Sequence, residues 1–184
     1  HCNFTNEDYA NAGATVVDSA EEVFKRSNVI VKVAPPLPSE FQYLQRNQVL
    51  VSALHLGMVK NEFIETLLKK TITSLAFEFI ETRDGEFPIV RSLSEISGTL
   101  AIHIAAKYLE TGNGGRGILL GGIAGVPPAN VVIIGAGTVG QYAAQAALGL
   151  GAHVMVIDKE LNRLRKFQTI FNRRIATATA NEHY

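Results

Sequence analysis

Three glycines and one acid carry the clearest chemistry in this chain. The run Val131-Val132-Ile133-Ile134 leads into Gly135-Ala136-Gly137-Thr138-Val139-Gly140, and small residues continue from Gln141 to Leu150. Apolar β-branched residues, glycines spaced G-x-G-x-x-G and a small-residue run read as strand, tight turn and helix. A second apolar run, Val154 to Ile157, ends in Asp158, about 20 residues beyond the glycines, where the dinucleotide fingerprint places its acid. Gly135 allows a sharp exit from the strand, Gly137 clears the path of a pyrophosphate, and Gly140 lets the helix pack closely on the sheet. The pyrophosphate would rest on free N–H groups at the positive end of the helix. Asp158 can accept both ribose hydroxyls of an adenosine and would repel a 2′-phosphate, so NAD is expected over NADP; Lys159 and Arg163 stand near enough to soften that preference. The plain alternative is a βαβ unit whose glycines serve packing alone.

Outside this fingerprint, His55 has the most suggestive position. It follows the apolar run Val49 to Leu54, at the expected C-terminal end of a parallel strand, which is the edge where open α/β sheets bind ligands. A proton-transfer role competes there with a histidine hydrogen-bonded at a strand end. His1, His103, His153 and His183 read as structural or incidental. Lys32 lies near the end of another apolar run, and a lysine there either meets a carboxylate ligand or snorkels to water. Glu78, at the end of a third strand, is either a site residue or a structural ion pair or exposed end. With no CxxC, HExxH or His/Cys cluster, no metal site is expected. A GxSxG elbow and a P-loop are absent as well.

The elements that must position these residues alternate along the chain. Asn6 to Ala12 reads as helix, Ala14 to Val17 as extended, and Ser19 to Arg26 as helix with Glu22 at capping-box distance from Ser19. Val29 to Val33 reads as a buried strand stopped by Pro35, Pro36 and Pro38. Glu40 to Arg46 reads as helix, Val49 to Leu54 as strand, Asn61 to Lys70 as amphipathic helix and Thr71 to Phe79 as a third strand. Strands separated by helices imply βαβ units and a parallel sheet. The polar segment Thr82 to Pro88 suggests a domain boundary, which we place between residues 91 and 92. Ser92, with Glu95 completing a capping box, is expected to start a long helix to about Glu110. The small face of that helix, Ser94, Gly98, Ala101 and Ala105, suits close packing against a helix or a ligand. Thr111 to Pro128 reads as a glycine-rich connector. The expected fold is therefore α/β: two Rossmann-like domains with parallel sheets, 1–91 and 92–184, both incomplete in this chain because only about one mononucleotide half fits after Val131.

Composition narrows the function classes. The chain has 184 residues, a formal net charge of zero and 47% hydrophobic residues, which is ordinary for a globular protein and unlike a nucleic-acid surface. One cysteine, Cys2, excludes an intrachain disulfide framework and suits a reducing compartment such as the cytoplasm. From Gly117 to Ile157 there is no Asp, Glu, Lys or Arg. Glycines, Pro127-Pro128 and Asn130 interrupt that span, so loop, buried strand and buried helix are expected in place of a membrane helix.

Several runs resemble the alanine dehydrogenase family. The most specific is Asn113-Gly114-Gly115-Arg116-Gly117, continuing through Gly125-Val126-Pro127-Pro128-Ala129 into the glycine turn. Leu54-His55-Leu56, Ser94-Glu95-Ile96-Ser97-Gly98 and the opening through Tyr9 to Ala14 agree with it. The related α subunit of the proton-translocating transhydrogenase shares the two-domain plan and is less similar in the connector. The resemblance implies reversible, NAD-dependent oxidative deamination of L-alanine to pyruvate and ammonia, by a hexamer with its active site in an interdomain cleft. His55 falls on the family's catalytic histidine, and Ser94, Thr138, Asp158 and Arg163 match cofactor-contacting positions.

Two positions depart from the pattern. The family strand reads K-V-K-E-P and its second lysine binds substrate; here Lys32-Val33-Ala34-Pro35-Pro36 puts Ala34 in that place. Lys32, two residues back on the same strand face, is expected to cover the role; a different substrate, a non-catalytic dinucleotide-binding regulator or an inactive paralogue is the alternative. Ala180 stands where a family serine meets the cofactor. The resemblance also puts a substrate-binding arginine before His1 and a catalytic aspartate after Tyr184, so the 184 residues alone are expected to lack turnover.

Overall fold

A computed structural model describes residues 3–180; His1, Cys2 and His183 lie outside the described residues. The chain divides into two compact units, His1–Phe87 and Pro88–Tyr184.

The first unit is a parallel three-stranded sheet, ordered β1 (Val29–Val31), β2 (Val49–Ser52), β3 (Thr73–Ala76). Val29 pairs with Val49 and Val49 with Thr73, so the three C-terminal strand ends lie side by side. One face is packed: Ile30 and Leu50 meet Phe24 of α2 (Ala20–Arg26) and Phe63 and Leu67 of α3 (Asn61–Lys69). The other face is open, with Val29, Val31 and Leu75 exposed. The expected buried strand over Val29 to Val33 is thus corrected: side chains alternate across a strand, and only Ile30 points into the core.

Local hydrogen bonds explain the remaining differences. The short helix α1 (Asn6–Asn11) has a complete capping box, Thr5 Oγ1 accepting the Asp8 N–H and Asp8 Oδ2 accepting the Thr5 N–H. At α2 the Ser19 hydroxyl accepts the Glu22 N–H, but the Glu22 carboxylate pairs with Arg26. Ala14 to Val17 forms no strand, and Glu40 to Arg46 is not a helix. A 3-10 turn over Pro38–Glu40 gives way to further turns, because the carbonyls of Phe41, Gln42 and Leu44 take N–H donors from the Lys70 ammonium. The buried Gln48 amide then donates to the Phe24 and Ser27 carbonyls, tying the end of α2 to the entry of β2. The third strand is shorter than expected and runs into a 3-10 turn, Phe77–Phe79.

The second unit begins with α4 (Pro88–Leu109), four residues ahead of the expected start. Proline suits the first helical turn, where its missing N–H costs nothing. Ser92 and Glu95 therefore sit inside the helix; Ser92 Oγ donates to the Pro88 carbonyl and Glu95 accepts from Arg91, so no capping box forms. Of the small face, Gly98 makes the close approach: a Cβ there would stand 2.3 Å from the Val139 carbonyl oxygen. Its partner is α5 (Thr138–Gly149), which lies between β4 (Asn130–Ile134) and β5 (His153–Asp158); α6 (Leu161–Ile170) leads to β6 (Ala176–Thr179). The sheet is parallel and ordered β4-β5-β6. Its core joins Ile102, Ala143, Ala144, Ala147, Val154, Val156, Leu164 and Phe167. The connector is packed: Leu120 is buried, and a Cβ on Gly121 would meet the Leu150 carbonyl oxygen at 2.2 Å.

Candidate active site

In the second unit the chain leaves β4 through Gly135, whose φ of +107° lies in the left-handed half of backbone space that glycine adopts freely. Its N–H donates to the Ile157 carbonyl, keeping the turn against β5. Gly137 is the N-cap of α5 and has no side chain with which to cap it, so the first N–H groups of the helix remain available to an anion. A Cβ on Gly137 would touch nothing within 4 Å, whereas one on Gly140 would stand 2.0 Å from the Gly135 carbonyl oxygen. The two glycines thus have different reasons: Gly140 closes the helix onto the strand exit, and Gly137 keeps an open face clear. Thr138 is half-buried and Val139 exposed beside it. That cradle fits a dinucleotide pyrophosphate.

Asp158, only 6% exposed, ends β5 and is held firmly. Its Oδ2 accepts the Ala136 N–H at 2.6 Å and its Oδ1 the Glu160 N–H at 2.7 Å. These N–H groups, first that of Ala136, hold its carboxyl below the ordinary value despite burial, with a smaller contribution from Arg163 and Lys159. Arg163 itself is exposed on α6, and Ser94 is half-buried on α4. Nearby, the Tyr142 hydroxyl is pushed up by its hydrogen bond to Glu95.

The first unit carries the other candidates. His55 is exposed just beyond β2, with φ of +48°. Glu78 is half-buried and forms no ion pair among the described residues; its Oε1 accepts the N–H groups of Leu54 and His55, each at 2.8 Å. Burial raises the Glu78 carboxyl, and the N–H groups of His55, Glu78 and Leu54 outweigh it, leaving the group below its ordinary value. Lys32 has its ammonium 2.5 Å from Glu40 Oε2, with both side chains largely covered. Glu40 also accepts the Leu37 N–H, and these bonds hold its carboxyl down against its burial. Glu40 was hidden in the sequence by the helix expected around it. Ala34 is exposed. Among the described residues no group of three or more His, Cys, Asp or Glu is placed to hold a metal ion, and no helix is long and apolar enough to cross a membrane.

A glycine turn between a parallel strand and a helix, with an acid ending the next strand, defines the class: nucleotide-binding α/β proteins of the Rossmann type. Residues 1–97 match the family described as alanine dehydrogenase/PNT, N-terminal domain, and residues 101–184 its C-terminal domain. The chain belongs to the alanine dehydrogenase/PNT family. It is 41% identical to an alanine dehydrogenase of Methanococcus maripaludis over 96% of this chain and 47% of that protein. It is 39% identical to the alanine dehydrogenase of Bacillus subtilis, over 97% and 46% respectively. A solved L-alanine dehydrogenase superposes with a TM-score of 0.88 at 40% identity, covering 97% of this chain and 49% of that one. A transhydrogenase from Sinorhizobium meliloti reaches 0.77 at 22% identity, over 98% of this chain and 50% of that one, a likeness of fold. The chain spans about half the length of the curated relatives it matches.

Proposed function

We propose that the protein containing this chain is an NAD-dependent alanine dehydrogenase, cytoplasmic and homo-oligomeric, that converts L-alanine reversibly to pyruvate and ammonia. We assign 1–91 to a substrate domain and 92–184 to an NAD-binding domain. The observation that carries the reading is the turn of the second unit, open at Gly137, closed at Gly140 and clasped by Asp158, in a chain about 40% identical to alanine dehydrogenases.

Gly135, Gly137, Thr138, Val139 and Gly140 would hold the pyrophosphate through backbone N–H groups. Asp158 keeps unused lone pairs on both oxygens for the adenosine ribose, while Ser94 and Arg163 would complete the contacts. NAD supplies the hydride acceptor when bound. His55 holds and moves the proton as water adds to the imine of the substrate and ammonia leaves. Lys32 would bind the substrate carboxylate through ammonium protons not given to Glu40.

The test is NADH formation by the full-length protein from L-alanine and NAD, abolished in His55→Ala. A second reading, a dinucleotide-binding regulator without turnover, is favoured by one observation: Ala34 offers no ammonium and the Lys32 ammonium is engaged by Glu40. NAD binding without NADH formation from alanine supports that reading instead.

A further inference from the structure

The chain leaves β2 in a conformation that needs an external hold. His55 is a β-carbon-bearing residue at φ +48°, where such residues are uncommon. Its carbonyl accepts the Met58 N–H at 2.7 Å, and its own N–H, with that of Leu54, goes to the single Glu78 oxygen Oε1. The register explains why residue 78 is at hand: Ser52 pairs with Ala76, so the 3-10 turn after β3 lies beside the turn after β2. The second unit repeats the device, with Asp158 at the end of β5 accepting the Ala136 N–H in the turn that leaves β4. In each unit an acid at the end of one strand, or two residues beyond it, clasps the turn leaving the neighbouring strand. In the second unit that turn is the nucleotide cradle; in the first it is the turn that presents His55.

We propose that Glu78 is the positioning residue of His55: its carboxylate fixes the 54–55 turn and thereby the direction of the imidazole during amino-acid oxidation. This rests on the reading of His55 as the proton-transfer group. Removing the clasp leaves two N–H groups without their acceptor and releases the left-handed residue, and a displacement of the order of 1 Å at a reacting group costs about 100-fold in rate.

The experiment uses the full-length protein with Glu78→Ala, Glu78→Gln, Glu78→Asp and His55→Ala. Glu78→Ala and Glu78→Asp are expected to lower kcat with L-alanine by about 100-fold with KM for NAD unchanged. Glu78→Gln, whose carbonyl oxygen can accept both N–H groups, is expected to stay within about tenfold of wild type. The His55 imidazole resonance, identified by its loss in His55→Ala, should move in Glu78→Ala and Glu78→Asp and hold its position in Glu78→Gln. Should Glu78→Ala fail to fold, the Asp variant, which keeps the charge but shortens the reach, decides on the same two readouts. Full kcat in Glu78→Asp with an unmoved resonance overturns the proposal. An inactive wild type, or an active His55→Ala, overturns the reading beneath it instead.

Discussion

Asp158 grips the turn that leaves the neighbouring strand: its Oδ2 accepts the Ala136 N–H at 2.6 Å across a separation of 22 residues. The same carboxylate expected to meet the ribose therefore also shapes the cradle, so its charge contributes to folding. Because its pKa is depressed below 3.8 in the folded chain, the stabilisation is fully present above that value and is lost as pH falls through the folded one. Asp158→Asn should be less stable than wild type by about 2 kcal/mol at neutral pH. Denaturant unfolding across pH should show that gap constant from about pH 5 to 8 and narrowing below about 3.8. A gap that persists unchanged into acid contradicts the account.

Gly140 and Gly98 are required by packing. An added Cβ would stand 2.0 Å from the Gly135 oxygen in one case and 2.3 Å from the Val139 oxygen in the other. Backbone has to move to relieve either contact. Gly140→Ala and Gly98→Ala should each lose about 2 kcal/mol or more, read as a lower unfolding midpoint. Wild-type stability in either variant would show that the helix has room to shift.

Lys32 divides its ammonium between a structural partner and a proposed ligand. Lys32→Ala should raise the KM for the amino acid while leaving NAD affinity unchanged, and should lower the unfolding midpoint by removing a partly covered pair with Glu40. Loss of stability with an unchanged KM assigns the residue to the ion pair alone.

The local signals in the sequence were sufficient wherever structure depends on near neighbours. The β4-turn-α5-β5 unit was legible because its glycines, its uncharged strand and its acid act within 30 residues of one another. What escaped depends on distant partners. Lys70 reaches back 26 to 29 residues to the carbonyls of Phe41, Gln42 and Leu44, the first two of which a helix at 40–46 would have used. Glu78 becomes a clasp only once β2 and β3 are in register, 24 residues apart at Leu54. The exposure of Val29 and Val31 reflects which sheet face is packed, and strand composition does not encode that. Pro88 could have been read as the start of α4, but the Ser92 and Glu95 spacing gave a competing signal.

At Gly137 binding and packing make different demands. The residue sits at φ −88°, which alanine adopts readily, and its Cβ would meet nothing within 4 Å. A bound pyrophosphate, in contrast, would occupy that space. Calorimetric titration of NAD into the full-length protein and its Gly137→Ala variant tests this directly. Gly137→Ala should lower the unfolding midpoint only slightly, as alanine does in place of glycine at an N-cap, while raising the Kd for NAD by about tenfold or more. A variant that binds NAD as tightly as wild type contradicts the account.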